Sequence, residues 1–263
     1  MRLILVTNDD GIDSPGLLAA AGALLPLGEV IVAAPRDQQT SMGRSTPTTS
    51  DGRIEKRALA WNGQALNAYA VGGTPAQAVQ HALLEILPRE PDLVVAGINY
   101  GENVGTGVTI SGTVGAALEA GTLGYPALAV SLQMLSDNWY SYEELDFTAA
   151  AHFCALFARA VLERGLPGDA DLLKIEVPVD ATPQTAWRLT RQSRQRYYVP
   201  YLIRQGGWDE PGNVAARISF DPRQVEPDSD VHALVHEKMV AVTPMSVDLT
   251  ARVDWEDLRR RLS

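Results

Sequence analysis

Arg2-Leu3-Ile4-Leu5-Val6-Thr7-Asn8-Asp9-Asp10-Gly11 is the stretch on which the fold turns. Leu3 to Val6 is short, apolar and partly β-branched, the pattern of a central strand in a parallel sheet that is buried on both faces. The run stops on two adjacent carboxylates and a turn glycine. Like charges at one point repel, and burying either one is costly unless something positive compensates. A buried strand that ends this way predicts a bound cation. Ligands of open parallel sheets gather outside the carboxyl ends of the strands, so the acidic pair marks the expected site.

Outward from that strand, helix-like and strand-like segments alternate to about residue 178, which predicts a doubly wound, mostly parallel α/β sheet. An Ala- and Leu-rich helix spans Leu17 to Leu25, and a second strand runs from Glu29 to Ala34. The polar stretch 36–47 (RDQQTSMGRSTP) reads as a loop. A further strand is expected over Leu66 to Val71, then a helix from Pro75 to about Leu87, with proline in its first turn. Leu93 to Ile98 is the third strong apolar strand and ends on Asn99. A glycine-rich loop, Tyr100 to Gly112, leads to a small-residue helix from Thr113 to about Thr122. Ala127 to Ser131 is another buried strand, Glu143 to Arg164 an amphipathic helix, and Leu172 to Val177 a strand closed by Pro178.

The character then changes. Arg188 to Asp230 is rich in Arg, Gln, Tyr, Pro and Gly and keeps no period, which predicts an extended arm or hairpin ordered by a partner surface. A short helix over Val231 to Glu237, a strand over Met239 to Thr243 and a terminal helix follow, with Trp255, Leu258 and Leu262 on one face. The expected organisation is a catalytic domain over 1–187, an oligomerisation arm over 188–230 and a segment over 231–263 that returns to the core.

With 263 residues, 46% of them apolar, the chain suits one large domain with an appendage. A net charge of −10 argues against nonspecific nucleic-acid binding. The opening apolar run is too short for a signal peptide, and no stretch has the length of a membrane span. The lone cysteine, Cys154, lies among Ala, Phe and Leu and reads as a packed core thiol. These features predict a soluble cytoplasmic protein.

Three strand ends supply oxygen donors: Asn8-Asp9-Asp10, Thr40-Ser41 in the loop after the second strand, and Asn99. Carboxylate, hydroxyl and amide oxygens suit Mg²⁺, Mn²⁺ or Ca²⁺. Zinc prefers His or Cys, which this region lacks. Singly, Asp10-Gly11 also reads as a turn and Asn99 as a helix cap. The loop Gly101-Glu102-Asn103-Val104-Gly105-Thr106-Gly107, followed by Ser111-Gly112-Thr113, predicts an anion site at a helix start. It matches neither the P-loop nor the dinucleotide fingerprint.

Together these stretches resemble the SurE family of metal-dependent nucleoside-monophosphate phosphatases. The resemblance rests on ILVTNDDGIDSPG at the start, VVAGINYGENVGTGVTISGTVGAALE in the middle, TRQSRQRY at Thr190 to Tyr197 and VAVTPMSVDLT near the end. It implies a Rossmann-like domain, hydrolysis of 5′- and 3′-nucleotides, and a homodimer or homotetramer with exchanged C-terminal arms. It also implies one divalent cation per subunit, Mg²⁺ or Mn²⁺. Of the family's ligands, two adjacent aspartates and an asparagine fall on Asp9, Asp10 and Asn99. The family's serine falls on Thr40 by register, with Ser41 next. Either hydroxyl can ligate, and the register assigns Thr40 to the metal and Ser41 to the substrate phosphate. The family's usual GTPADCV is altered here to Gly73-Thr74-Pro75-Ala76-Gln77-Ala78-Val79.

The expected reaction is attack of a metal-activated water on a phosphomonoester. Asp9 and Asp10 are the catalytic candidates, and Asn8, Ser41, Asn103, Gly105, Thr106 and Ser111 the substrate- and phosphate-binding ones. An aspartyl-phosphate phosphatase needs Asp-x-Asp, but Asn8 stands two before Asp10. A receiver-like domain needs a phospho-accepting Asp where this chain has Asn99. His232 and His236 share a helix face without a third ligand nearby, so a solvated face is expected. His81 and His152 are expected to be structural. Arg188 to Tyr201 reads as an arm that packs on a partner, with Arg194 and Arg196 as phosphate or subunit contacts.

Overall fold

The computed structural model describes residues 1–134 and 145–263. Strand β1 (Leu3–Thr7) is buried along its whole length. It pairs in parallel with β2 (Glu29–Pro35) on one side and β5 (Leu93–Tyr100) on the other. The parallel row continues from β2 to β4 (Gln64–Val71), and from β5 through β6 (Ala127–Leu132) to β7 (Leu172–Val177). At one edge β3 (Ile54–Trp61) runs antiparallel to β4. At the other, β11 (Val240–Met245) runs antiparallel to β7, and β8 (Trp187–Leu189) lies parallel beside β11. The result is a nine-stranded, mostly parallel sheet among the described residues.

Helices α1 (Pro15–Leu24) and α4 (Thr148–Arg164) pack together over one face, and α2 (Pro75–His81) and α3 (Gly112–Thr122) over the other. The period-two rule divides β1 between them. Ile4 and Val6 join the core under α1 and α4, and Leu5 the core under α2 and α3. All three are fully buried, each stabilising the fold by about 1.5–3 kcal/mol. Cys154 is sealed in the first core, where burial pushes its thiol up to about 12. The doubly wound α/β sheet expected from the sequence is therefore present.

Three local features differ from the sequence reading. Strand β3 was not anticipated, because Glu55, Lys56 and Arg57 interrupt any apolar alternation, as suits an edge strand facing solvent. The amphipathic helix begins at Thr148, whose N–H donates to Asp146 Oδ1 at 2.8 Å. Its expected start, Glu143, lies outside the described residues. Strand β5 runs on to Tyr100 through an irregularity between Ala96 and Asn99. Gly97 sits there at φ +132°, and a Cβ on it would stand 2.3 Å from the Val130 carbonyl oxygen, so only glycine fits.

The arm leaves the sheet from β8, which straddles the boundary expected at residue 187. It forms an antiparallel hairpin of β9 (Tyr198–Arg204) and β10 (Gly212–Ile218). The chain returns through a π-helical turn at His232–His236 to β11, and ends in α5 (Trp255–Leu262). Asp254 caps α5 by accepting from the N–H groups of Glu256 and Asp257. Among the described residues no helix is long and apolar enough to cross a membrane.

Candidate active site

The turn after β1 is closed by Asn8. Its Oδ1 accepts from Gly11 N–H at 3.2 Å, and its Nδ2 donates to the Gly11 carbonyl at 3.0 Å. Asn8 is fully buried and holds the turn rather than facing the cavity. The next residue, Asp9, lines a cavity of 110 Å³ together with Thr40, Ser41, Asn99, Asn103 and Ser111. Asp10 stands behind it, where its Oδ2 accepts from Tyr100 N–H at 3.2 Å and Gln38 bonds it through its side chain.

The start of α3 points at Asp9. The Thr113 hydroxyl donates to Asp9 Oδ1, and the backbone N–H groups of Gly112 and Thr113 also reach this carboxylate. The positive end of the helix is thus spent partly on Asp9. It does not outweigh burial, which pushes Asp9 up to about 6. Asp10 is raised well above the ordinary carboxylate value by burial and by the neighbouring Asp9 charge. Two buried acids held against their preference for solvent are what a cation would relieve.

The other donors come from two loops. The β5 irregularity re-aims Asn99, whose Nδ2 donates to the carbonyls of Gly101 (2.7 Å) and Tyr100 (3.2 Å). Its Oδ1 is left as an acceptor. The loop after β2 is tied down by Gln39 N–H on the Asp9 carbonyl (2.6 Å) and Gly43 N–H on the Ile110 carbonyl (2.9 Å). This brings half-buried Thr40 and exposed Ser41, at φ +64°, to the rim. Among the described residues no group of three or more His, Cys, Asp or Glu is placed to hold a metal ion. The donors gathered here are two carboxylates with neutral amide and hydroxyl oxygens, a set that would suit a hard divalent cation keeping water or substrate oxygens. His232 and His236 lie apart from it, their rings 5.1 Å from each other.

Ser111 caps α3, its Oγ accepting from Val114 N–H at 3.1 Å. Its own hydroxyl hydrogen remains to donate into the cavity. Asn103 is fixed by its N–H on Glu176 Oε2 (2.8 Å) and its Nδ2 on Ser131 Oγ (3.0 Å). Gly105 and Thr106 do not line this cavity. Their N–H groups donate to Asp230 Oδ2 (3.2 Å) and the Gln195 carbonyl (3.1 Å), so the arm's root takes them. Thr106 instead lines an adjoining cavity of 840 Å³, which Arg196 and Tyr201 also border. The two cavities share Ser41, Gly107, Ile110, Tyr198 and Ala216.

The sequence reading missed Tyr198 and Ala216 as cavity residues, and missed Thr113 as the partner of Asp9. Tyr198 follows directly on the motif Thr190 to Tyr197, but its role depends on the hairpin folding back over the loop. The altered motif at Gly73 to Val79 also finds its reason. Gln77 forms a capping box with Thr74, accepts from Ser50 Oγ at 2.6 Å and donates to the Pro47 carbonyl at 2.9 Å. It braces the loop over residues 45–50.

Residues 4–199 match the family model described as Survival protein SurE. The chain is 42% identical over 264 residues to the 5′-nucleotidase SurE of Thermococcus kodakarensis, covering 98% of each. It is 40% identical over 266 residues to that of Methanosarcina mazei, covering 98% of this chain and 97% of the other. Among solved structures it resembles the SurE protein from Aquifex aeolicus, with a TM-score of 0.78, 30% identity and 100% of each chain covered.

Proposed function

The chain belongs to the SurE family, and from that membership we propose that it is a 5′-nucleotidase, releasing phosphate from nucleoside 5′-monophosphates and also from 3′-monophosphates. The observation that carries the reading is the junction of the two cavities. A small one holds Asp9, Asn99, Asn103 and Ser111, and a large one, bordered by Tyr198 and Tyr201, opens beside it under the arm. A phosphate suits the first and a nucleoside the second. The 840 Å³ of the second would admit a nucleoside joined through either its 5′ or its 3′ oxygen.

A divalent cation, Mg²⁺ or Mn²⁺, held by Asp9, Asp10, Asn99 and Thr40 would supply Lewis acidity at a phosphoryl oxygen and lower the pKa of a bound water. The chain's own groups do the rest. The Ser111 hydroxyl and the second Nδ2 hydrogen of Asn103 donate to phosphoryl oxygens as charge builds on them. Ser41 completes the cradle from the opposite rim. A carboxylate of the acidic pair orients the attacking water by accepting its hydrogen. No covalent intermediate is needed, because Asn8 and Asn99 occupy the places where the two phospho-aspartate mechanisms require carboxylates.

The oligomer belongs to the same reading: a homodimer or homotetramer joined by the arms. Supporting it, Val214 and Leu202 on the hairpin are 73% and 61% exposed, and Trp255 and Leu262 on α5 are 67% and 79% exposed. A buried free thiol fits a cytoplasmic setting.

Phosphate release from a panel of 5′- and 3′-nucleotides, sugar phosphates and phosphopeptides tests the substrate class. Turnover of nucleotides above the other esters supports the proposal, and a preference for phosphopeptides or sugar phosphates overturns it.

A further inference from the structure

Beneath the substrate loop lies a buried ionic cluster that the chemistry above does not use. Lys174 and Glu176 are two apart on β7 and so share one face of the sheet, and both are fully buried. Lys174 Nζ lies 3.4 Å from Glu176 Oε1 and 3.0 Å from Oδ2 of Asp230, also fully buried. Each carboxylate then holds a backbone amide of the loop. Glu176 takes the N–H of Asn103 and Asp230 that of Gly105. Asp230 Oδ1 further accepts from Ser193 (2.9 Å) and Val231 (2.8 Å).

The arm's root grips the same loop from the other side. Tyr197 Oη donates to Glu102 Oε1 at 2.9 Å, and Tyr198 Oη to the Glu102 carbonyl at 3.0 Å. Val104 is buried with Tyr197, Val225, Val231 and Leu234 in a small core of its own. A Cβ on Gly105 would stand 2.5 Å from the Gln195 carbonyl oxygen, so loop and arm touch backbone to backbone.

We propose that Lys174 is a positioning residue of the nucleotidase site, holding Glu176 and Asp230 so that they fix the Asn103 and Gly105 amides and aim the Asn103 side chain at substrate. This rests on the phosphatase reading of the cavity. One lysine between two carboxylates is what permits both to stay buried as acceptors. Burial works against the charged ammonium, but the two carboxylates outweigh it and raise Lys174 above its ordinary value. Glu102, Tyr197 and Tyr198 are the other titratable groups around the cluster, and all three are engaged with one another. The cluster thereby links the root of the arm to the position of a substrate-binding side chain.

The test compares Lys174→Met, Glu176→Leu and Glu176→Gln with the natural protein, each loaded with Mn²⁺ and assayed on adenosine 5′-monophosphate. Glu176→Leu is expected to raise KM about tenfold or more, because it frees the Asn103 amide. Glu176→Gln keeps an oxygen acceptor there and is expected to hold KM within about twofold. Mn²⁺ affinity, measured by calorimetric titration without nucleotide, should stay unchanged in all three. Amide exchange should quicken at Asn103 and Gly105 in Lys174→Met, at Asn103 in Glu176→Leu, and at neither in Glu176→Gln. If Lys174→Met does not fold, the two Glu176 variants still decide. An unchanged KM in a folded Glu176→Leu protein overturns the proposal, as does an equal rise in Glu176→Gln. If the natural protein turns over no nucleotide, the phosphatase reading fails instead, and unchanged amide exchange in Glu176→Leu would overturn the positioning claim by itself.

Discussion

Gly112 lies directly against Asp9: a Cβ on this first residue of α3 would stand 2.6 Å from the Asp9 Cβ and 2.7 Å from its Oδ2. The helix start can present its amides and the Thr113 hydroxyl to the carboxylate only because this position has no side chain. Gly112→Ala is therefore expected to push Asp9 out of place. Overpacking of this kind costs about 1–3 kcal/mol, read as a lowered denaturant midpoint. The loss of kcat/KM should be larger, about a hundredfold, since a displacement near 1 Å is enough for that.

The acidic pair predicts a pH dependence that a cation should erase. Burial raises the folded-state pKa of Asp9 from 3.8 to about 6. The proton is then held more tightly in the folded protein than in the unfolded chain. The corresponding stability is fully present below about pH 4 and is lost as the pH rises through about 6. Chelator-treated protein should lose stability across that window in urea titrations. The loss should shrink in Asp9→Asn and on adding Mn²⁺ to the natural protein.

Ser111→Ala separates capping from catalysis. Loss of the cap on Val114 N–H should cost about 1 kcal/mol of stability. Loss of the hydroxyl donor should lower kcat by about ten- to a hundredfold. Cation affinity, measured without substrate, should not change.

Tyr198 forms part of the wall between the two cavities. Tyr198→Phe, which keeps the ring and drops the bond to Glu102, should retain most of the affinity for nucleotides. Tyr198→Ala should raise KM for a nucleoside monophosphate about tenfold. It should raise KM less for glycerol phosphate, which has no base to place there.

The legible parts of this molecule are those in which residue type and position act locally. Leu3 to Val6 could only be a central strand, and the acids after it had to meet at its carboxyl end. Asn99 followed from the same rule. What stayed hidden depends on distant packing. Glu55 to Arg57 carry too much charge to announce a strand, since pairing with β4 rather than burial keeps β3 in place. Gly105 and Thr106 looked like phosphate-binding amides because glycine-rich loops before helices often are. Their N–H groups are consumed by Asp230 and Gln195, more than eighty residues away along the chain. Lys174 and Glu176 read as ordinary strand residues until the arm's root brings Asp230 beside them.

Nucleotide hydrolysis by this chain is expected to need a cation held by the acidic pair. Phosphate release from nucleoside 5′-monophosphates tests it most directly, in EDTA and after restoring Mn²⁺ or Mg²⁺, beside Asp10→Asn. The expected result is release that EDTA abolishes, that either cation restores, and that Asp10→Asn lacks under every condition. Undiminished release in EDTA, or by a folded Asp10→Asn protein, would contradict it.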